Sequence, residues 1–218
     1  MIVYIDAQLK HPCPALQLAC VQGTVQVANS SDQLLEVLNA RAQQLVRDGS
    51  ASASHPEVAA TREAYRNLGK DPSRYRGSAE ALLRRLASGK GLYFINNLVD
   101  INNLVSLESL LPVGSYDLAK VAPPIVLRIG QAGEAYKGIG KDMINIADLP
   151  VFADRAGPFG SPTSDSERAM ITPATTTFAM MIISFSGRSD LSTHAARAME
   201  LLQAHASARD LTFAIVTH

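Results

Sequence analysis

The stretch INNLVDINNLVSLESLLP, Ile95 to Pro112, places four asparagines and one aspartate inside an otherwise apolar run. Each of these polar groups costs free energy if buried without a partner. The run repeats six letters almost unchanged, INNLVD and then INNLVS. Six residues match neither the period of a strand nor that of a helix, so the echo is not a structural repeat. The first copy reads as the end of a strand and the second as the opening of a helix. That helix is predicted from about Val99 to Leu110, with Ile101, Leu104, Val105 and Leu111 near helical spacing and Pro112 at the exit. Asp100, Asn102 and Asn103 then fall around a helix N-terminus, where side chains cap free N–H groups and anions are favoured. At such a junction Asp100 has a structural role.

The remaining pattern interleaves strands and helices without a regular strand–helix–strand beat. Met1–Asp6 reads as a strand, and Leu16–Val27 as a hairpin or bent strand around Gly23. Ser31 caps a helix running to about Asp48, closed by Gly49. Ser54 and Glu57 have capping-box spacing ahead of a helix from Pro56 to Leu68. Ser78 starts a further helix, stopped by Gly89, with Ala79, Leu82, Leu83 and Leu86 as its buried stripe. LYFIN, Leu92 to Asn96, reads as a short strand. IVLRIG, Leu149–Asp154 and the long apolar run Thr175–Phe185 read as strands, and AGPFGSPTSDS as a loop. A helix from Asp190 or Ser192 to about Ala208 and a final strand LTFAIVT complete the chain. The expected fold is α+β: one domain over residues 1–218, with mixed β-sheets flanked by helices.

Hydrophobic residues make up 47% of the 218, which excludes a disordered chain. Twenty Lys and Arg balance twenty Asp and Glu, so a globally basic nucleic-acid binder is not indicated. The start MIVYIDAQLK has no basic segment followed by an apolar one, and the longest apolar stretch, near FAMMII, is too short to span a bilayer. A cytoplasmic protein with no membrane association is expected. Cys13 and Cys20 have neither zinc-knuckle nor redox spacing and read as reduced thiols. GIGK, Gly138 to Lys141, is not a P-loop: Ala135 and Asp142 stand where glycine and Ser or Thr are required. Met143 breaks a GxGxxG reading. SFSG at Ser184 lacks the first glycine of a nucleophile elbow. The five histidines show no ligand spacing, so neither a metal nor a cofactor is predicted.

Charge is uneven along the chain. From Arg62 to Lys90 there are eight basic residues and three acidic ones, a local balance of +5. Tyr65 and Tyr75 interleave with the arginines. Such a segment suits phosphate backbones and unstacked bases, and Arg66, Arg74, Arg76, Arg84 and Arg85 are its candidate RNA contacts. The alternative is two solvated helix faces.

Residues Arg74 to Val121, RYRGSAEALLRRLASGKGLYFINNLVDINNLVSLESLLPVGSYDLAKV, resemble the B3/B4 domain of the phenylalanyl-tRNA synthetase β subunit. The matching features are Ser78 leading a helix, Arg85-Leu86 at its end, INNLVDINNLV, Pro112, Tyr116 and Asp117. The likeness continues through GPFGSPTSDSERAMITPATT, and the whole chain resembles free-standing B3/B4 proteins. In the synthetase this domain hydrolyses tyrosine wrongly attached to the phenylalanine tRNA. The resemblance implies ester hydrolysis on the aminoacylated 3′ end of a tRNA, or recognition of that end by an ancestral relative.

It also implies a site. Asn102 and Asn103, just after the Val-Asp pair, are the catalytic candidates, placed to hold a water or the α-amino group. Gly157, Phe159, Gly160 and Ser161 form a second wall whose backbone N–H groups are candidate oxyanion donors. Thr163, Asp165 and Ser166 are polar candidates in the same loop. Two departures stand out. The family's Pro-x-His reads Pro112-Val113-Gly114 here. TPATTTFAMM carries Thr and Ala where an acid reads the tyrosine hydroxyl. Tyrosine specificity is therefore not implied. Three readings follow: an editing-like hydrolase of mischarged aminoacyl-tRNA, a tRNA- or amino-acid-binding module without turnover, and a small-molecule enzyme unrelated to tRNA.

Overall fold

The computed structural model describes residues 2–50 and 54–218. Among them run β1 (Val3–Ile5), β2 (Gln17–Thr24), α1 (Asp32–Arg47), α2 (Pro56–Asn67), α3 (Ser78–Ala87) and α4 (Asn97–Ser109). There follow β3 (Val113–Asp117), β4 (Ile125–Ile129), β5 (Ala135–Lys137), β6 (Met143–Asn145), β7 (Pro150–Asp154) and β8 (Gly157–Gly160). The chain closes with β9 (Thr177–Ser184), α5 (Leu191–Ala206) and β10 (Arg209–Val216).

The apolar run TFAMMIIS explains the layering. It forms β9, an interior strand of an antiparallel sheet ordered β10-β2-β9-β3. Phe178, Met180 and Ile182 point into a core shared with α1, α3, α4 and α5. Ala179, Met181 and Ile183 point the other way, into a core shared with Ile125, Leu127, Phe152 and Phe159 of a second sheet. A strand buried on both faces reads as a continuous apolar run rather than an alternating one. Its neighbour β2 divides likewise, with Ala19 and Val21 toward the helices and Leu18 and Cys20 toward the second sheet. That second sheet has the order β1-β4-β7-β8, with β1 parallel to β4 and the other pairs antiparallel. The architecture is α+β with a mixed sheet: helices, an antiparallel sheet and a mixed sheet in three layers. A third, smaller core gathers Tyr65, Tyr136, Ile146, Leu149 and Val151.

Several expected elements differ. There is no hairpin at Gly23: β2 runs straight through, with Gly23 opposite Phe178. The glycine instead makes room for β10, since a Cβ there would lie 2.7 Å from the Arg209 carbonyl oxygen, beside a register shift in β10. LYFIN forms no ladder; its Ile95 N–H goes to the Asp100 carboxylate and Asn96 becomes the N-cap of α4. The first part of AGPFGSPTSDS is strand β8, and Pro158 is tolerated there because β8 is an edge strand. The N-cap position of α2 falls on His55, without a side-chain cap bond, rather than on Ser54. Strand β3 and the hairpin β5–β6 were not foreseen. Cys13 and Cys20 are free and buried, and desolvation pushes their thiols up to about 11 and about 12.

Candidate functional site

Helix α4 begins at Asn97, two residues before its expected start, and this reassigns the polar residues of the opening stretch. Asn96 accepts the Val99 N–H at 2.9 Å. Asp100 accepts the Ile95 N–H at 3.0 Å and the Ser30 hydroxyl at 2.5 Å. Burial raises its pKa against the pull of those two bonds. Asn97 makes four bonds. Its Oδ1 accepts from Ala28 N–H and Leu98 N–H, and its Nδ2 donates to the carbonyls of Gln26 and His205. Asn97 and Asp100 staple the start of α4 to the segment after β2, and Asn97 ties it to the end of α5. Sequence reasoning assigned Asp100 its structural role but overlooked Asn96 and Asn97.

Asn102 and Asn103 lie in the second turn of α4, not at its N-terminus, because the caps are two residues further upstream than expected. Asn102 is buried, donating to the Val113 carbonyl at 3.3 Å and accepting from Ser115 Oγ at 3.0 Å. Asn103 is half-buried and its side chain makes no hydrogen bond among the described residues.

A second polar centre forms where the turn after β8 folds against β3. Its focus is Asp165, whose Oδ1 accepts the Tyr116 hydroxyl at 2.8 Å and the Ser161 N–H at 3.2 Å. Desolvation pushes the Asp165 carboxyl up to about 6, opposed by these two donors and the charge of Lys141. Around it the turn is tied down on every side. Ser161 Oγ donates to the Ser164 carbonyl at 2.8 Å, and the Tyr136 hydroxyl donates to the same oxygen. Thr163 shares a hydrogen bond with the Tyr65 hydroxyl at 2.7 Å. The Ser166 N–H donates to the Phe159 carbonyl at 3.0 Å, and Ser166 caps the following short helical turn. The Tyr116 ring meets Phe159 and Phe152 edge-on. Its hydroxyl lies between two glycines: a Cβ on Gly114 would come within 2.5 Å of that oxygen, and one on Gly160 within 2.4 Å. Tyr116, together with Tyr65 and Tyr136, is the part of this centre that sequence reasoning missed. The resemblance marks Tyr116 and the basic segment marks Tyr65, each for another reason, whereas Tyr136 carries no such signal.

The expected site is thus split by strand β3. Val113 and Ser115 face α4, whereas Gly114 and Tyr116 face the second sheet. Asn102 therefore belongs to one side, and Phe159, Gly160, Ser161 and Asp165 to the other. Ser78 joins the two at the strand edge, donating its N–H to the Pro162 carbonyl at 2.8 Å and accepting the Val113 N–H at 3.1 Å. The expected oxyanion donors are not all free. Gly157 to Gly160 pair with β7, and the Ser161 N–H is given to Asp165.

The candidate RNA contacts separate into two groups. Glu80, 2% exposed, gathers Arg62 at 3.0 Å, Arg84 at 2.8 Å and Arg76 at 3.9 Å. Arg85 stacks its guanidinium 3.6 Å from the Tyr93 ring centre and donates to the Lys90 carbonyl. Arg66 and Arg74 are exposed and make no ion pair among the described residues. So the sequence balance of +5 overstates the charge free to meet a phosphate.

Fold and centre together define a layered α+β domain with an enclosed carboxylate between its sheets. A family model described as the B3/4 domain matches residues 60–218, most of the chain, and the protein belongs to that family. No curated protein matches the chain. Among solved structures it is similar to an N-terminal fragment of the phenylalanyl-tRNA synthetase beta-subunit from Pyrococcus horikoshii, at 14% identity with a TM-score of 0.48. The match covers 99% of this chain and 50% of that one, so the chain spans about half the length of that fragment. No helix among the described residues is long and apolar enough to cross a membrane.

Proposed function

We propose that this B3/4 domain acts on the aminoacylated 3′ end of a tRNA and hydrolyses the ester that joins amino acid to ribose. The observation that supports it best is the Asp165 carboxyl, enclosed between the sheets, held by Tyr116 and Ser161, and raised to about 6. A general base works best with a pKa near the operating pH. In this reading Asp165 takes a proton from a water whose oxygen attacks the aminoacyl carbonyl carbon. The ester C–O bond breaks, and the proton passes to the departing ribose oxygen. An aminoacyl ester is already activated, so positioning a water is most of what is required. Thr163 and Ser166 border the substrate, and Asn103, free of internal bonds, lies on the α4 side. Arg66 and Arg74 contact the RNA backbone, while Arg76, Arg84 and Arg85 add charge already shared with Glu80 or Tyr93.

A second reading, recognition of tRNA or an amino acid without turnover, is favoured by Tyr116. Its hydroxyl fills the gap between Gly114 and Gly160 and takes up Asp165 Oδ1, which leaves the carboxylate less open to a water. Mixing the purified protein with a panel of correctly and wrongly charged tRNAs separates the two. Release of one aminoacyl group supports hydrolysis. Salt-dependent retention of tRNA without release supports the binding module. If neither release nor retention is seen, the tRNA reading falls.

A further inference from the structure

A cleft lies away from Asp165, between the outer face of α1 and the chain that links α3 to α4. Its volume is about 540 Å³, in the range of small-molecule sites. Val46 of α1 with Leu86 and Leu92 opposite supplies apolar walls. Asn39, Gln43 and Arg47 rise along one rim at helical spacing. All three are exposed and their side chains make no hydrogen bond among the described residues. Beside the other wall, the chain neighbours of Leu86 and Leu92 are Arg85 and Tyr93, and these stack on each other at 3.6 Å. Tyr93 is 65% exposed, and Lys90 next to it is also exposed.

We infer that this cleft takes an unpaired nucleotide of RNA. A nucleobase has two apolar faces and a polar edge, and the cleft offers apolar walls with free amides at one side. Side-chain amides read base edges, and apolar or aromatic surfaces accept base faces regardless of sequence. Arg47 and Lys90 bracket the cleft with positive charge that suits the attached phosphates. Helix α3 sets the distance to the first site. Its start touches the turn after β8 through Ser78 and Pro162, and its end forms the cleft wall. Ten residues of α-helix span about 15 Å, within reach of a short single strand whose end lies at Asp165.

The inference rests on the RNA-binding part of the proposed function, and its test keeps the two apart. A short single-stranded oligoribonucleotide is titrated into isotope-labelled protein while the side-chain amide signals of Asn39 and Gln43 are followed. The same oligonucleotide is titrated by anisotropy at several salt concentrations into wild type, Arg47→Ala and the Asn39→Ala, Gln43→Ala double variant. The expected result is saturable movement of both amide signals and about a tenfold loss of affinity in the double variant with the salt slope unchanged. Arg47→Ala lowers that slope by about one. If the oligonucleotide binds but the cleft amides stay still and the double variant binds like wild type, the cleft assignment is wrong while RNA binding survives. If the oligonucleotide does not bind at all, both fall.

Discussion

The Tyr116 hydroxyl donates to Asp165 Oδ1 at 2.8 Å, joining strand β3 to a turn 49 residues further along the chain. Neither partner is free to move far. The tyrosine ring is wedged against Phe152 and Phe159, and the Ser161 N–H holds the same carboxylate oxygen. A carboxyl enclosed in this way holds its proton to higher pH than an exposed one, because burial disfavours the charged form.

The sign of the resulting pH dependence is fixed. The folded pKa of Asp165 is raised from 3.8 to about 6, so folding retains a proton that the unfolded chain has released. Relative to Asp165→Asn, wild type is therefore expected to lose stability as pH rises from about 4 to about 6. The size is about 2–3 kcal/mol, from 1.36 kcal/mol per pKa unit. Denaturant melts of both proteins across this range measure it. A difference independent of pH, or of opposite sign, contradicts the enclosed carboxyl.

The two glycines facing Tyr116 are expected to respond differently to its hydroxyl. Gly114→Ala and Gly160→Ala each crowd the tyrosine, and each is expected to cost about 1–3 kcal/mol. At Gly114 the nearest obstacle is the hydroxyl oxygen at 2.5 Å, with the ring carbon beyond it at 3.0 Å. At Gly160 ring carbons remain at 2.5 and 2.6 Å. Tyr116→Phe should therefore relieve most of the Gly114→Ala cost and little of the Gly160→Ala cost. A double-mutant cycle on thermal stability tests this; equal relief at both sites would contradict it.

Two asparagines six residues apart make a matched pair. Asn97→Ala strands the Ala28 N–H and two carbonyls, and is expected to destabilise by about 3 kcal/mol. Asn103→Ala removes no internal hydrogen bond and is expected to change stability by less than about 0.5 kcal/mol. Chemical denaturation of the two variants compares them directly.

That contrast shows what was legible in the sequence. The polar run marked a helix start to within two residues, though not the strand expected before it, because so many amides in an apolar stretch require partners. It did not mark which amide caps and which is left without a side-chain partner among the described residues. The capping partners of α4 lie up to 108 residues away in the chain, as with Asn97 and His205. The long run Thr175–Phe185 was legible as a buried strand, since an apolar segment of that length needs two covered faces. LYFIN had strand-like residues but no partner strand, a matter of tertiary context that local pattern does not carry. The Gly-rich segment was legible as a turn near the site. That its first residues form an edge strand, and that Tyr116 fills the space before them, depends on packing between two sheets.

Among the arginines, Arg66→Ala and Arg74→Ala are each expected to weaken tRNA binding and lower the salt slope by about one. Arg84→Ala is expected to cost folding stability as well, because it takes a partner from buried Glu80. Filter binding at several salt concentrations, paired with thermal melts, separates the two groups.

The most direct test of the central claim is the pH profile of aminoacyl-tRNA deacylation by wild type and Asp165→Asn, measured side by side. Wild type is expected to release one aminoacyl group, with a rate that rises through about pH 6 as Asp165 loses its proton. The asparagine variant is expected to be slower by about a hundredfold or more. Equal rates in the two proteins would contradict the role given to Asp165. Retention of tRNA with no release by wild type would show that the domain binds without hydrolysing.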